Sequence, residues 1–213
     1  LQIYHSEGLI MTQQEFWNKK FSKEEFFYGD YANEFLISNK NLLKNAKSLL
    51  FLGEGEGRNA IEFAKNDTSL LVDAIDASDI GLNKLKVQAK KLNLNNIYTT
   101  CLDLNNWVPQ KKYDGILSSY LHMHEQDRDL LFDKIEVSLE KNAYFMIEVF
   151  SKKQINYTSG GPKDLSLLYE KDDFLKRFNS CEKIKIDEEI IMLNEGNGHK
   201  GEACVIRVIL KKK

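Results

Sequence analysis

A chain of 213 residues, 42% hydrophobic and 29% charged, suits one globular domain with a core of its own. Its formal net charge of -2 offers no basic surface to a nucleic-acid backbone or an anionic membrane, so neither is expected as a partner. Cys101, Cys181 and Cys204 form no CxxC pair and no run reaches a membrane span or a secretory leader, so a cytoplasmic protein is expected, without disulfides or a metal site, as a monomer or weak dimer.

Met11-Thr12-Gln13 has the look of a natural start, so residues 1–10 are expected to be an extension outside the site. Between positions 15 and 36 aromatic residues crowd together (Phe16, Trp17, Phe21, Phe26, Phe27, Tyr28, Tyr31, Phe35), with Gly29 as the breaker. They predict an amphipathic helix and turn within an aromatic-rich cap over 11–45, packing either on the core or over a ligand pocket.

Strands and helices then alternate. Apolar runs at 48–52, 70–75, 97–102, 113–120 and 144–150 predict strands, and helices are expected at 60–65, 80–92 and 127–139. A short helix at 172–178 follows, then strands at 183–193 and 203–210 joined by a turn over 194–202. The alternation predicts an α/β, Rossmann-like, doubly wound, mostly parallel seven-stranded sheet with helices on both faces. Its last strand must run antiparallel to its predecessor, because no crossover helix fits between them.

Three features fall at successive strand ends. Gly53-Glu54-Gly55-Glu56-Gly57-Arg58-Asn59-Ala60 follows the first strand and opens a helix, where glycines allow a sharp turn and a close ligand approach. Ile75-Asp76 ends the second strand, about 20 residues on, where a carboxylate accepts from ribose hydroxyls or, alternatively, caps the next helix. Leu102-Asp103-Leu104 ends the third, where an acid and apolar neighbours suit an adenine, or make an ordinary turn.

Together with Ala74-Ile75-Asp76-Ala77-Ser78, Tyr113-Asp114-Gly115-Ile116 and Gly160-Gly161-Pro162-Lys163, these stretches resemble class I S-adenosylmethionine-dependent methyltransferases. More narrowly they resemble the small bacterial group related to tellurite-resistance and thiopurine methyltransferases. Trp17-Asn18, Tyr28-Gly29 and Asn33-Glu34-Phe35-Leu36 are similar to that group's aromatic lead-in; Glu195-Gly196, His199, Gly201 and Ala203 are similar to its closing hairpin. Phe51 departs from the group, which often has an acid there, and so do Glu140-Lys141-Asn142-Ala143 and His124.

The resemblance implies S-adenosylmethionine as cofactor, with Gly53, Gly55 and Gly57 along its methionyl–ribose portion, Asp76 on the ribose, and Asp103 and Leu104 at the adenine. Tyr28, with Trp17 behind it, is the candidate aromatic face for a sulfonium. For a general base the candidates are His122, Glu148, Tyr157 and His199, each with a structural alternative; His199 qualifies because the hairpin must turn at the ligand-binding rim. The polar segment 151–163 is expected to be a lid or else an inert connection. The implied reaction is methyl transfer to a metalloid oxyanion, a thiol or a small metabolite. Two rivals remain: an NAD(P)-dependent oxidoreductase, since Gly55-x-Gly57-x-x-Ala60 fits a dinucleotide loop, and a non-catalytic S-adenosylmethionine-binding module.

Overall fold

The computed structural model describes residues 4–6 and 9–213, with side chains from Met11 onward. Strands β1 (Tyr4–Ser6) and β2 (Leu9–Met11) pair as an antiparallel ribbon; the rest of the stretch expected as an extension lies outside the described residues. Helix α1 (Gln13–Phe21) starts on a capping box. Thr12 Oγ1 accepts from the Glu15 N–H, and the Glu15 carboxylate accepts from the Thr12 N–H at 2.8 Å. The aromatic lead-in is therefore a helix, a loop, and the short α2 (Glu34–Ser38), whose N-cap is Asn33.

Five parallel strands follow: β3 (Ser48–Leu52), β4 (Leu71–Asp76), β5 (Ile97–Cys101), β6 (Tyr113–Ser119) and β7 (Leu139–Phe150). The hairpin of β8 (Cys181–Glu195) and β9 (His199–Lys212) completes a seven-stranded sheet in the order β5-β4-β3-β6-β7-β9-β8. Strand β9 is antiparallel to both neighbours, as the short connection demanded. Crossovers run through α3 (Arg58–Ala64), α4 (Asp79–Lys91) and α5 (Glu125–Val137), and α6 (Lys171–Leu175) precedes the hairpin.

The two-residue period of β3 assigns its faces. Leu49 and Phe51 join Phe35, Phe63, Leu82 and Leu85 in the core under α2, α3 and α4; Leu50 and Leu52 face Leu131, Phe132, Ile135 and Phe174 of α5 and α6. Phe51, which stands where the resembled group often has an acid, is thus a core residue packed on Phe63 at 5.5 Å.

Boundaries differ from expectation most at two places. Strand β7 begins at Leu139 and runs through the polar Glu140-Lys141-Asn142, where the ladder shifts register between Tyr113 and Gly115 and Asn142 takes φ 67°. The closing turn shrinks to residues 196–198 because Glu195 and His199 pair directly, extending both strands into a stretch that reads as loop.

Candidate active site

The carboxyl ends of β3, β4 and β6 open into one cavity. Its floor is the glycine loop, where Gly53, Gly55 and Gly57 have φ of 65°, 59° and 92°. A Cβ on Gly53 would meet Leu121 at 2.9 Å, and one on Gly55 would meet the Phe21 ring at 3.0 Å, so both glycines keep the cradle open. Gly57 acts elsewhere. It is the N-cap of α3, and a Cβ there would run into Leu85 at 2.3 Å; its freedom serves helix packing, and it does not line the cavity.

Because Gly57 has no side chain to cap α3, Glu54 does it. Its carboxylate accepts from the Ala60 N–H at 2.7 Å and from Asn59 Nδ2 at 3.3 Å. Burial drives the Glu54 pKa up to about 7 against these bonds. Asp76 lies beside it in the floor, accepting from the Gly55 N–H at 2.8 Å and the Ser78 N–H at 2.7 Å, and burial raises its pKa to about 6. Ser78, and not Asp76, caps α4, through an Oγ that accepts from the Gly81 N–H at 3.0 Å. Leu104 adds an apolar wall.

The roof comes from distant segments. Trp17, Phe21 and Tyr28 form an aromatic chain with centroid separations of 5.5 and 6.4 Å, and Tyr28 lies 4.5 Å from the His199 ring. The hairpin tip docks on the cap loop: the N–H groups of Asn197 and Gly198 donate to the Phe27 carbonyl at 2.9 and 3.2 Å. A Cβ on Gly198 would overlap Tyr28 at 2.2 Å, which is why small residues occupy the tip.

Behind the roof runs a relay of charge. Arg58, at the start of α3, donates to the Tyr28 and Tyr31 carbonyls at 3.4 and 3.3 Å and pairs with Glu195 at 3.0 Å. Glu195 in turn accepts from His199 Nδ1 at 2.9 Å. Burial pushes the Glu195 carboxyl up, but the His199 bond and the Arg58 charge outweigh it and hold it below the usual range. Burial lowers the pKa of His199, partly offset by Glu195. His122 also lines the cavity. Its Nδ1 is shielded from solvent and has no partner among the described residues, and its pKa falls to about 3 through burial and the nearby His199 and Lys20 charges.

A pocket held open by glycines, floored by a buried carboxylate and holding an orphaned ring nitrogen fits an adenosine-type cofactor. The model of the family described as tellurite resistance protein TehB matches residues 9–211. The chain belongs to the TehB family. TehB from Haemophilus influenzae has the same fold, with a TM-score of 0.71 at 18% identity over 96% of this chain and 68% of that one. The N-methyltransferase NodS from Bradyrhizobium japonicum, solved with S-adenosyl-L-homocysteine, gives 0.69 at 9% identity over 94% and 98%. Among curated proteins, the (S)-tetrahydroprotoberberine N-methyltransferase of Eschscholzia californica is 24% identical over 115 residues. That match takes in 54% of this chain and spans only 33% of that enzyme.

In this TehB-family chain, Tyr28, Gly53, Gly55, Asp76, Leu104, His122 and His199 meet in the cavity, whereas Asp103, Glu148 and Tyr157 do not. Asp103 turns its carboxylate onto the Asn105 N–H at 2.9 Å, capping its own turn. Glu148 is saturated: Asn33 Nδ2, the Tyr120 hydroxyl and Arg207 Nε each donate to it at 2.6 Å, tying β7 to β9 and the cap. Tyr157 lies on the 151–163 connection, which Gln154 fastens to the sheet. Buried Gln154 accepts from the Cys204 N–H at 2.7 Å and donates to Ser159 Oγ at 2.9 Å. Glu54, Arg58, Tyr120 and Glu195 went unread as site residues. Glu54 was readable from the missing cap on Gly57; Glu195 needed the hairpin register, since directly opposed strand residues share a face. No helix among the described residues is long and apolar enough to cross a membrane.

Proposed function

We propose that the chain is an S-adenosylmethionine-dependent methyltransferase acting on a small-molecule nucleophile, with His199 as the group that takes its proton. The observation carrying this reading is the Glu195–His199 pair on the roof, opposite the Asp76 floor of the same cavity. When bound, S-adenosylmethionine supplies an electrophilic methyl on a sulfonium. Gly53 and Gly55 would hold its methionyl–ribose portion, Asp76 the ribose hydroxyls, and Leu104 the adenine. Tyr28 presents a ring where a sulfonium is favoured and water is excluded. Glu195 commits His199 Nδ1 to donating, so Nε2 is left as the proton acceptor. Arg58 fixes Glu195 and closes the cap loop over the cavity.

Nitrogen is the acceptor atom named for several relatives, and tellurite resistance names the family; both oxyanion and nitrogen acceptors fit a small cavity with a base. Calorimetric titration with S-adenosylhomocysteine, followed by turnover on a panel of small nucleophiles, tests the reading. Wild-type protein should bind the product cofactor, and His199→Ala should lose turnover while keeping that affinity. Equal turnover by the variant removes His199 from the chemistry.

A further inference from the structure

His199 is held on both edges of its ring. On one edge, Nδ1 is bonded to Glu195 at 2.9 Å. Along the other runs the backbone of Gly160, so close that a Cβ there would come within 2.6 Å of His199 Cδ2 and 2.5 Å of the Gly198 carbonyl oxygen. The rings of Tyr28, Tyr120 and Phe150 stand around it, with centroids 4.5, 4.3 and 5.1 Å away. Nε2 has no partner among the described residues and, unlike His122 Nδ1, is not shut off from solvent. We propose that the Gly160-Gly161 turn is a positioning element for the base, fixing the His199 ring where Nε2 stays free to accept a proton.

This rests on the reading of His199 as the base and adds the device that holds it in place. Both residues of the turn must be glycine. Gly160 takes φ 126° and Gly161 φ 81°, backbone conformations in which a side chain is strained. A Cβ on Gly161 would meet Phe150 Cδ2 at 2.7 Å, and Phe150 is itself a neighbour of His199 and stacks on His122 at 5.8 Å. The turn is fastened to β9 beside the base. Fully buried Gln154 donates to Ser159 Oγ at 2.9 Å and to the Gly160 carbonyl at 3.0 Å, and accepts from the Cys204 N–H at 2.7 Å. The N–H of Lys200, next in sequence to His199, donates to the Ser159 carbonyl at 3.0 Å.

Glu195 and Gly160 divide the work. The bond to Glu195 decides which ring nitrogen donates, but one hydrogen bond leaves the ring able to slide and tilt about it. With Cδ2 lying against the Gly160 backbone, the ring has no space to draw back from Glu195. Misplacing a reacting group by about 1 Å costs on the order of 10²-fold in rate, so a base without this backing would be a poor one.

Gly160→Ala, set beside Gly201→Ala, separates positioning from backbone strain. Gly201 has φ 111°, also foreign to a side chain, yet a Cβ there reaches nothing nearer than Ser159 Cβ at 3.7 Å. The two variants share a backbone cost and differ in contact with His199. Long-range 15N–1H spectra of the S-adenosylhomocysteine complexes should show His199 as a single Nδ1–H tautomer in wild-type protein and in Gly201→Ala. In Gly160→Ala they should show a mixture of tautomers and a displaced Cδ2–H signal, while calorimetric affinity for S-adenosylhomocysteine stays that of wild type. A Gly160→Ala spectrum matching wild type, or the same change in Gly201→Ala, overturns the proposal. Wild-type protein gives a further reading that needs no variant to fold: a nuclear Overhauser contact between Gly160 Hα and His199 Hδ2, whose absence overturns it as well. Undiminished turnover by His199→Ala would instead overturn the base reading, which these spectra do not touch.

Discussion

The floor and the roof of the cavity are built on different plans. The floor is local: the glycine loop, the tip of β4 and the starts of two helices satisfy one another through backbone N–H groups, with Asp76 bonded to Gly55 and Ser78, and Glu54 to Ala60. The roof is assembled from chain segments more than a hundred residues apart, with Arg58 joining Tyr28 and Tyr31 to Glu195, and Glu148 joining Asn33 and Tyr120 to Arg207. A floor of this kind holds what every member of a cofactor class must hold. A roof pinned by buried ion pairs leaves each pin replaceable only at high cost in stability.

The sharpest way to break that contrast is at Glu148. Removing it leaves the Asn33 amide and the Tyr120 hydroxyl without their acceptor in the interior and leaves Arg207 with Glu189 alone, so Glu148→Ala should lower unfolding free energy by about 2–4 kcal/mol in urea titrations. A loss below about 1 kcal/mol would mean that the roof does not depend on this network. On the floor, Asp76→Ala should leave stability nearly unchanged, because the lost bonds are offset by relief of a buried charge. Affinity for S-adenosylhomocysteine should instead fall by about 1.5–3 kcal/mol, the worth of hydrogen bonds to a charged group, read by calorimetry. Unaltered affinity would take Asp76 out of the ribose site.

The same contrast explains what the sequence disclosed. Floor residues sit at strand ends that apolar runs delimit, and a glycine loop followed by Asp76 is legible because the spacing is short and the backbone requirement strict. The antiparallel last strand followed from its short connection. Glu148 was misplaced because a strand-end acid near a binding edge cannot be told from one buried in a network until Asn33 and Arg207 are seen beside it. Asp103 stands apart from the cavity lining for a smaller reason: its own turn captures the carboxylate. Glu195 was hidden in a stretch that reads as loop, and only its register with His199 shows the pair.

Glu195→Gln sharpens the roof at a finer scale. The amide keeps the shape but loses the charge that supports a protonated His199, so kcat should fall about tenfold while product-cofactor affinity stays within about threefold. Glu195→Asp should recover part of the loss. If KM alone changes, Glu195 acts only in closing the cap and not through His199.

The smallest effect is a pH dependence of the floor. Asp76 and Glu54 have pKa values raised by burial to about 6 and about 7, so their ionisation opposes folding of the free protein. The stability they allow is present below the ordinary carboxylate range and is lost as pH rises through 6 and then 7. Ribose hydroxyls donate to an ionised Asp76 better than to a neutral one, so cofactor affinity runs the opposite way and rises over the same window. The melting temperature of the free protein should therefore decline between about pH 4 and about pH 7, while the increment produced by saturating S-adenosylhomocysteine grows. Asp76→Asn, which cannot ionise, should flatten the lower part of both curves and Glu54→Gln the upper part of the first. A melting increment independent of pH in wild-type protein would show that the bound cofactor does not draw on the Asp76 charge, and the ribose assignment would then have to move to another donor-accepting group of the floor.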